Sequence, residues 1–168
     1  MVAQYMKKRT KWILGLIAGV ALIAFWLVGY AMSSTGPAND LGLTRSDLAL
    51  GGHPDVAALR GRTKTVADAC LARHHADLER ACGGPYHLAV NYSLSRKART
   101  LGYRSSFYYF CWDIYRPYLL KTDSGEDYFV LVQLTDRTEG NKHDPNNFRV
   151  LRALLIDSAN QVKAQFNE

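Results

Sequence analysis

The run Trp12–Met32 (WILGLIAGVALIAFWLVGYAM) constrains this chain more than any other stretch. It holds 21 residues with no charge and no proline. At about 1.5 Å of rise per residue it makes a helix roughly 30 Å long, the hydrocarbon thickness of a bilayer. In lipid a lone segment satisfies its own backbone only as a helix. Lys7, Lys8, Arg9 and Lys11 precede the run, and no acidic residue occurs before Asp40. Positive charge stays on the cytoplasmic side, so the amino end is expected inside and the bulk of the chain outside. Trp12 marks the inner edge, and Trp26 and Tyr30 lie near the outer one, where amphipathic rings favour the headgroups. A cleaved signal peptide is the rival reading, with Gly29-Tyr30-Ala31 as a loose cleavage site. A signal core is only about 7–15 residues long, which favours an uncleaved anchor.

The expected division is a cytoplasmic tail at 1–11, a transmembrane anchor at 12–32, a flexible tether at 33–62 and an exported domain at 63–168. In a bacterial inner membrane that domain is periplasmic. Within the span, Gly15, Ala18 and Gly19 share a face and make a short notch for close approach of another helix. Leu22 and Trp26 confine the notch to the inner half. The lipid bilayer is the first expected partner, and an integral membrane protein or a second copy of the span is the next.

The formal charge of +6 overstates the basicity of the exported part. Four of the 21 basic residues flank the span, leaving 17 against 15 acidic ones, a balance of +2. That is an ordinary soluble surface, and no nucleic-acid partner is expected. The three cysteines, Cys70, Cys82 and Cys111, all follow the span. On one helix Cys70 and Cys82 would be about 18 Å apart by rise, beyond disulfide reach. Cys82–Cys111 is therefore the candidate bridge, with three buried thiols as the alternative.

Residues 33–62 contain five glycines and two prolines, the composition of a tether. Thr44–Leu50 and Asp55–Leu59 within it suit short helical turns. Thr65–Cys82 is the main predicted helix, with Thr65 and Asp68 as a capping pair and Ala67, Leu71, Leu78 and Cys82 as its buried stripe. Gly83-Gly84-Pro85 stops it. Strands are expected at Tyr86–Leu94, Ser106–Ile114, Tyr118–Thr122, Tyr128–Thr135, Phe148–Asp157 and Gln161–Asn167. Pro117 limits a strand through it to an edge or a bend. The fold class is α+β: after a single transmembrane helix, one helix packed on a small antiparallel sheet of about five or six strands.

Catalytic signatures are lacking. The chain has no Gly-x-Ser-x-Gly, Cys-x-x-Cys, P-loop or dinucleotide motif, so neither an enzyme nor a cofactor is expected. His74-His75-x-Asp77-x-Glu79 is the one metal-like cluster. Adjacent histidines point about 100° apart on a helix, so it reads as a solvated face and no metal is assigned. Arg80–Trp112 carries Arg96, Lys97, Arg99 and Arg104 among many aromatics and no acidic residue. These four cations are the candidate patch for an anionic partner. The alternative places the aromatics in the core and the cations on its polar side.

In layout the chain is similar to bitopic subunits of bacterial envelope machines, such as scaffold components of secretion machines and some cytochrome oxidase assembly factors. That layout implies a non-catalytic subunit or assembly factor that contacts partners through its span and its exported domain. Two alternatives are carried. One is an exported binding module for a lipid or hydrophobic ligand, held under Phe107–Trp112. The other is an envelope inhibitor or immunity-type protein.

Overall fold

The computed structural model describes residues 15, 17, 19–26, 41–91, 94–139, 142, 144 and 146–168. The chain divides into two compact units, Met1–Gly36 and Pro37–Glu168. In the first, residues 15, 17 and 19–26 are helical. Ile17, Val20, Leu22, Ile23, Phe25 and Trp26 are exposed. A side chain added at Gly15 or Gly19 would meet no described atom within 4 Å. The remainder of the expected span, Ala18 included, lies outside the described residues. Among the described residues no helix is long and apolar enough to cross a membrane.

The second unit begins inside the stretch expected to be a tether. Leu41 and Leu43 are buried in its main core, so the chain is folded from residue 41 onward. Helix α1 (Arg45–Leu50) follows because Thr44 and Asp47 form a reciprocal capping box. The Asp47 carboxylate accepts the Thr44 N–H at 2.8 Å.

Helix α2 (Val56–Arg73) starts well before Thr65. Asp55 supplies the cap, accepting the N–H groups of Ala57 and Ala58 at 2.9 and 3.2 Å. Thr65 instead sits inside the helix and donates its hydroxyl to the Gly61 carbonyl. Leu59 and Thr63 extend the buried stripe of Ala67, Cys70 and Leu71 by two turns. The expected single helix is two. His74 ends α2 and opens α3 (His75–Cys82) with φ −94° and ψ 17°. Gly83, at φ 85°, closes α3 in the left-handed conformation that suits glycine.

Six strands form one antiparallel sheet. They are β1 (Tyr86–Val90), β2 (Ser106–Tyr108), β3 (Cys111–Thr122), β4 (Asp127–Thr135), β5 (Arg149–Ile156) and β6 (Val162–Asn167). The order is β1-β3-β4-β5-β6, with β2 on the same side of β3 as β1. Arg96-Lys97-Ala98-Arg99, which falls between two of the expected strands, lies in helix α4 (Leu94–Thr100). Ser106–Ile114, expected as one strand, is a hairpin. Tyr108 pairs with Cys111, and the turn between them is Tyr109-Phe110.

Pro117 sits mid-strand in β3, opposite Leu131. β1 covers Tyr118–Thr122 and β2 covers Cys111–Asp113. Pro117 falls in the interval between them, where β3 is locally an edge and proline is tolerated.

The sheet is packed on both faces. Trp112, Ile114, Tyr118, Leu120, Val130, Val132 and Leu134 meet α2 and α3. Phe129, Leu131, Leu154 and Ile156 pack with Ala98 of α4 and with Tyr103. The inward set changes parity along β5 because Gln133 pairs with Arg152 but Leu134 with Val150, leaving one extra residue. Arg116 points from β3 into the α2 face and is 2% exposed. Its Nη1 donates to the Arg60 carbonyl at 3.0 Å and to Thr63 Oγ1 at 2.8 Å.

Candidate functional site

β1 is an outer strand of the sheet, and its polarity can be read from β3. The Tyr115 N–H donates to Ser105 Oγ at 2.9 Å, and the Asp123 N–H to the Pro85 carbonyl at 3.2 Å. Odd-numbered amides of β3 therefore point toward β1 and β2. His87 and Ala89, opposite Lys121 and Leu119, turn their backbone groups inward. Tyr86, Leu88 and Val90 turn theirs outward. Among the described residues no strand takes up those outward groups. Natural edges are commonly blunted by lysine, proline or a bulge. β1 (YHLAV) has none of these, and its register with β3 is unbroken.

The side chains of Tyr86, Leu88 and Val90 fall on the α2 side of the sheet. Between this strand and the helices lies an open groove of about 440 Å³, within the size range of ligand sites. Leu71, Ala72, Leu88, Val90 and Tyr118 line it with mainly apolar surface, and Lys64, Asp68, His75 and Tyr86 supply its polar groups. The Tyr118 hydroxyl donates to the Asp68 carboxylate at 2.8 Å, and Lys64 bonds the other carboxylate oxygen. Burial first, and then this carboxylate, push the Tyr118 hydroxyl pKa upward. At the rim the His75 and Tyr86 rings meet edge to face at 5.1 Å. His75 Nδ1 and the Tyr86 hydroxyl are 2.8 Å apart. Tyr86 is pushed up to about 12, chiefly by burial. Both phenols are neutral near pH 7 and offer hydrogen bonds rather than charge. The apolar lining of the groove and the outward backbone groups of β1 lie side by side.

A second exposed feature is the β2–β3 turn. Tyr109 and Phe110 have φ of 49° and 62°, the two positive values of a type I′ turn. Such turns usually carry asparagine and glycine. Here Tyr108, Tyr109 and Phe110 are 57%, 63% and 77% exposed, so three aromatic side chains stand together at a hairpin tip.

Comparison with known proteins gives no match to a family description, a curated protein or a solved structure.

The candidate cation patch is divided. Arg99 donates to the Gly42 carbonyl at 3.0 Å, which ties α4 to the segment before α1. Lys97 stands 5.6 Å from the centre of the Phe129 ring. Arg96 and Arg104 are exposed. Two of the four thus have structural contacts, and two face outward.

The candidate bridge does not form. Cys70, Cys82 and Cys111 are buried thiols, and no disulfide joins Cys82 to Cys111. Cys82 precedes β1, whose Tyr86 pairs with Thr122 at the far end of β3 from Cys111. Along β3 those ends are separated by roughly 36 Å at about 3.3 Å per residue. Its thiol instead donates to the Gly84 carbonyl at 3.3 Å. The volume under Phe107–Trp112 is filled by side chains: the two rings pack at 4.7 Å and Trp112 is buried.

The paired histidines diverge, as helix geometry requires. His75 faces Tyr86 and Glu79, whereas His74 faces β6 through the Phe166 ring. There Cys70, His74 and Glu168 bring one ligand atom each to within 4.8 Å of one another. Sequence reading missed this cluster because Glu168 is far from the other two along the chain. The only local signal was the spacing of Cys70 and His74, four residues apart on a helix.

Proposed function

We propose that the chain is a non-catalytic, bitopic subunit or assembly factor of a bacterial envelope membrane complex, with its amino end in the cytoplasm and its second unit in the periplasm. The second unit takes up an extended segment of a partner along β1. The observation that carries this reading is the unblunted outer edge of β1 beside an apolar groove. Strand addition supplies affinity through main-chain hydrogen bonds, while alternate side chains enter a pocket and set specificity. The exposed aromatic tip adds a second contact of the kind enriched at protein interfaces. The apolar run at 12–32 supplies the anchor, and Gly15 and Gly19 a helix-packing surface.

A second reading is an exported module that holds a hydrophobic ligand, and the groove lined by Leu71, Leu88 and Val90 favours it over the filled region at Phe107–Trp112. Extraction in mild detergent separates the two readings. The first expects a defined partner protein to co-purify in fixed ratio. Recovery of the chain alone as a monomer, with a lipid or other small apolar molecule bound, overturns it in favour of the second.

A further inference from the structure

We propose that Cys70, His74 and Glu168 form a binding site for a zinc ion, which clamps the end of β6 onto the junction of α2 and α3. The inference is independent of the groove, which lies on the other flank of α2.

The donor set is the first argument. A thiolate sulfur, an imidazole nitrogen and a carboxylate oxygen together suit Zn²⁺, and a set containing sulfur and nitrogen excludes Mg²⁺ and Ca²⁺ as natural occupants. One thiolate and one carboxylate bring two negative charges to the ion, and the Arg73 guanidinium paired with Glu168 leaves the filled site with one positive charge.

Geometry is the second argument. Cys70 and His74 are four residues apart, so both leave the last turn of α2 on one side. Glu168 follows β6 and reaches the same point from the sheet. His74 Nε2 lies 4.0 Å from Glu168 Oε1, and the three ligand atoms all lie within 4.8 Å of one another. A tetrahedral zinc with bonds of about 2.0–2.3 Å sets its ligands roughly 3.3–3.8 Å apart. Small side-chain rotations close the difference. Three protein ligands leave a fourth position for water.

The surroundings are the third. His74 Nδ1 lies 3.6 Å from the Asp77 carboxylate, and its ring packs against Phe166 at 5.3 Å between centroids. At 3.6 Å the Asp77 carboxylate is beyond hydrogen-bond reach, and a small rotation that closes this distance would turn the other ring nitrogen toward a metal. Arg73 holds Glu168 through its Nε at 3.0 Å, as ligating carboxylates are commonly held by a hydrogen bond. Arg73 therefore fixes the carboxylate that completes the site.

Without metal the Cys70 thiol is protonated. Burial first, and then the Glu168 charge and hydrogen bond, push it up to about 12. Binding forms the Zn–S bond and breaks the S–H bond, and the proton goes to solvent.

The test uses the reduced full-length chain, stripped of metal and titrated with Co²⁺ as a coloured substitute and then with Zn²⁺. The expected result is a near-ultraviolet thiolate-to-cobalt absorption band that saturates at one equivalent and is lost when Zn²⁺ displaces the cobalt. Cys82→Ser should keep the band and Cys70→Ser should abolish it. Glu168→Gln, at a partly exposed position that tolerates the change, should lower Co²⁺ affinity at least about tenfold without altering the fold, as should His74→Gln. The proposal is overturned if no band forms at saturating Co²⁺. It is equally overturned if the band survives in Cys70→Ser, or if both Glu168→Gln and His74→Gln bind as tightly as the parent chain.

Discussion

Among single residues, Arg116 is a charged group placed almost wholly out of water. A guanidinium moved out of water is expensive unless its donors are satisfied. Among the described residues it forms no ion pair, and Thr63 Oγ1 and the Arg60 carbonyl receive its Nη1. Thr63 suits this task because its own hydroxyl proton is already given to the Leu59 carbonyl at 2.8 Å, leaving its lone pairs free to accept. Thr63→Val keeps the shape and removes the acceptor, so it should destabilise the domain by about 1.5–3 kcal/mol, the range for a hydrogen bond to a charged group. Thr63→Ser should cost less than about 1 kcal/mol. Urea midpoints at constant slope check both, and equal effects of the two variants would show that Arg116 does not depend on that oxygen. The turn at Tyr109-Phe110 is the opposite case, a place where stability is given up. Left-handed backbone costs an ordinary residue about 1–2 kcal/mol, and Asn-Gly would suit the same turn. The double change Tyr109→Asn with Phe110→Gly should raise stability by about 1 kcal/mol and weaken recovery of the partner. A stability loss would mean that the exposed rings contribute more to the fold than their backbone strain removes.

Elements show where function can be separated from folding. In β1 the inward amides belong to His87 and Ala89, and the outward one at the centre of the strand to Leu88. Leu88→Pro therefore removes a donor that only an added strand would use, and edge strands accept proline. The variant should keep the parent circular-dichroism spectrum and lose partner recovery at least about tenfold, measured against Ala89→Ser as a side-chain control on the other face of the strand. Undiminished recovery from folded Leu88→Pro would rule out strand addition. The elements also show what the sequence could and could not reveal. Leu78 and Cys82 on α3, and Val130, Val132 and Leu134 on β4, repeat at the spacing of their own element. Local periodicity carries that information, so the helix face and the central hairpin were readable. The start of α2 was readable only as a short turn at Asp55–Leu59, because Gly51, Gly52, Pro54 and Gly61 read as tether and hid its continuity with the helix that follows. The β2–β3 turn was hidden by its composition, since Tyr-Phe is not turn chemistry. The groove and the Cys70–His74–Glu168 cluster were out of reach for another reason. Each joins residues from elements that only the folded sheet brings together, and no local pattern encodes that meeting.

For the whole molecule, the two units matter through the arithmetic of linked contacts. A groove that captures one extended segment gives modest affinity alone. A span that packs against the same partner makes the second contact intramolecular, and two linked contacts can gain about 10²–10⁴ in avidity with no new interaction. A side chain at Gly15 or Gly19 would meet no described atom within 4 Å, and there a neighbouring helix backbone could approach closely. Leucine at both positions would fill that space while keeping the run apolar and long enough for a bilayer, so insertion should be unchanged. Gly15→Leu with Gly19→Leu should therefore leave the chain in the membrane fraction but reduce partner recovery from detergent extracts by at least about tenfold. Leu88→Pro should act on the other contact, and the triple variant should lose the partner altogether. If the two leucines leave recovery unchanged while Leu88→Pro abolishes it, the run at 12–32 serves only as an anchor and the second unit makes the whole contact. If the leucines act and Leu88→Pro does not, the binding surface is the span and the groove must be given another ligand.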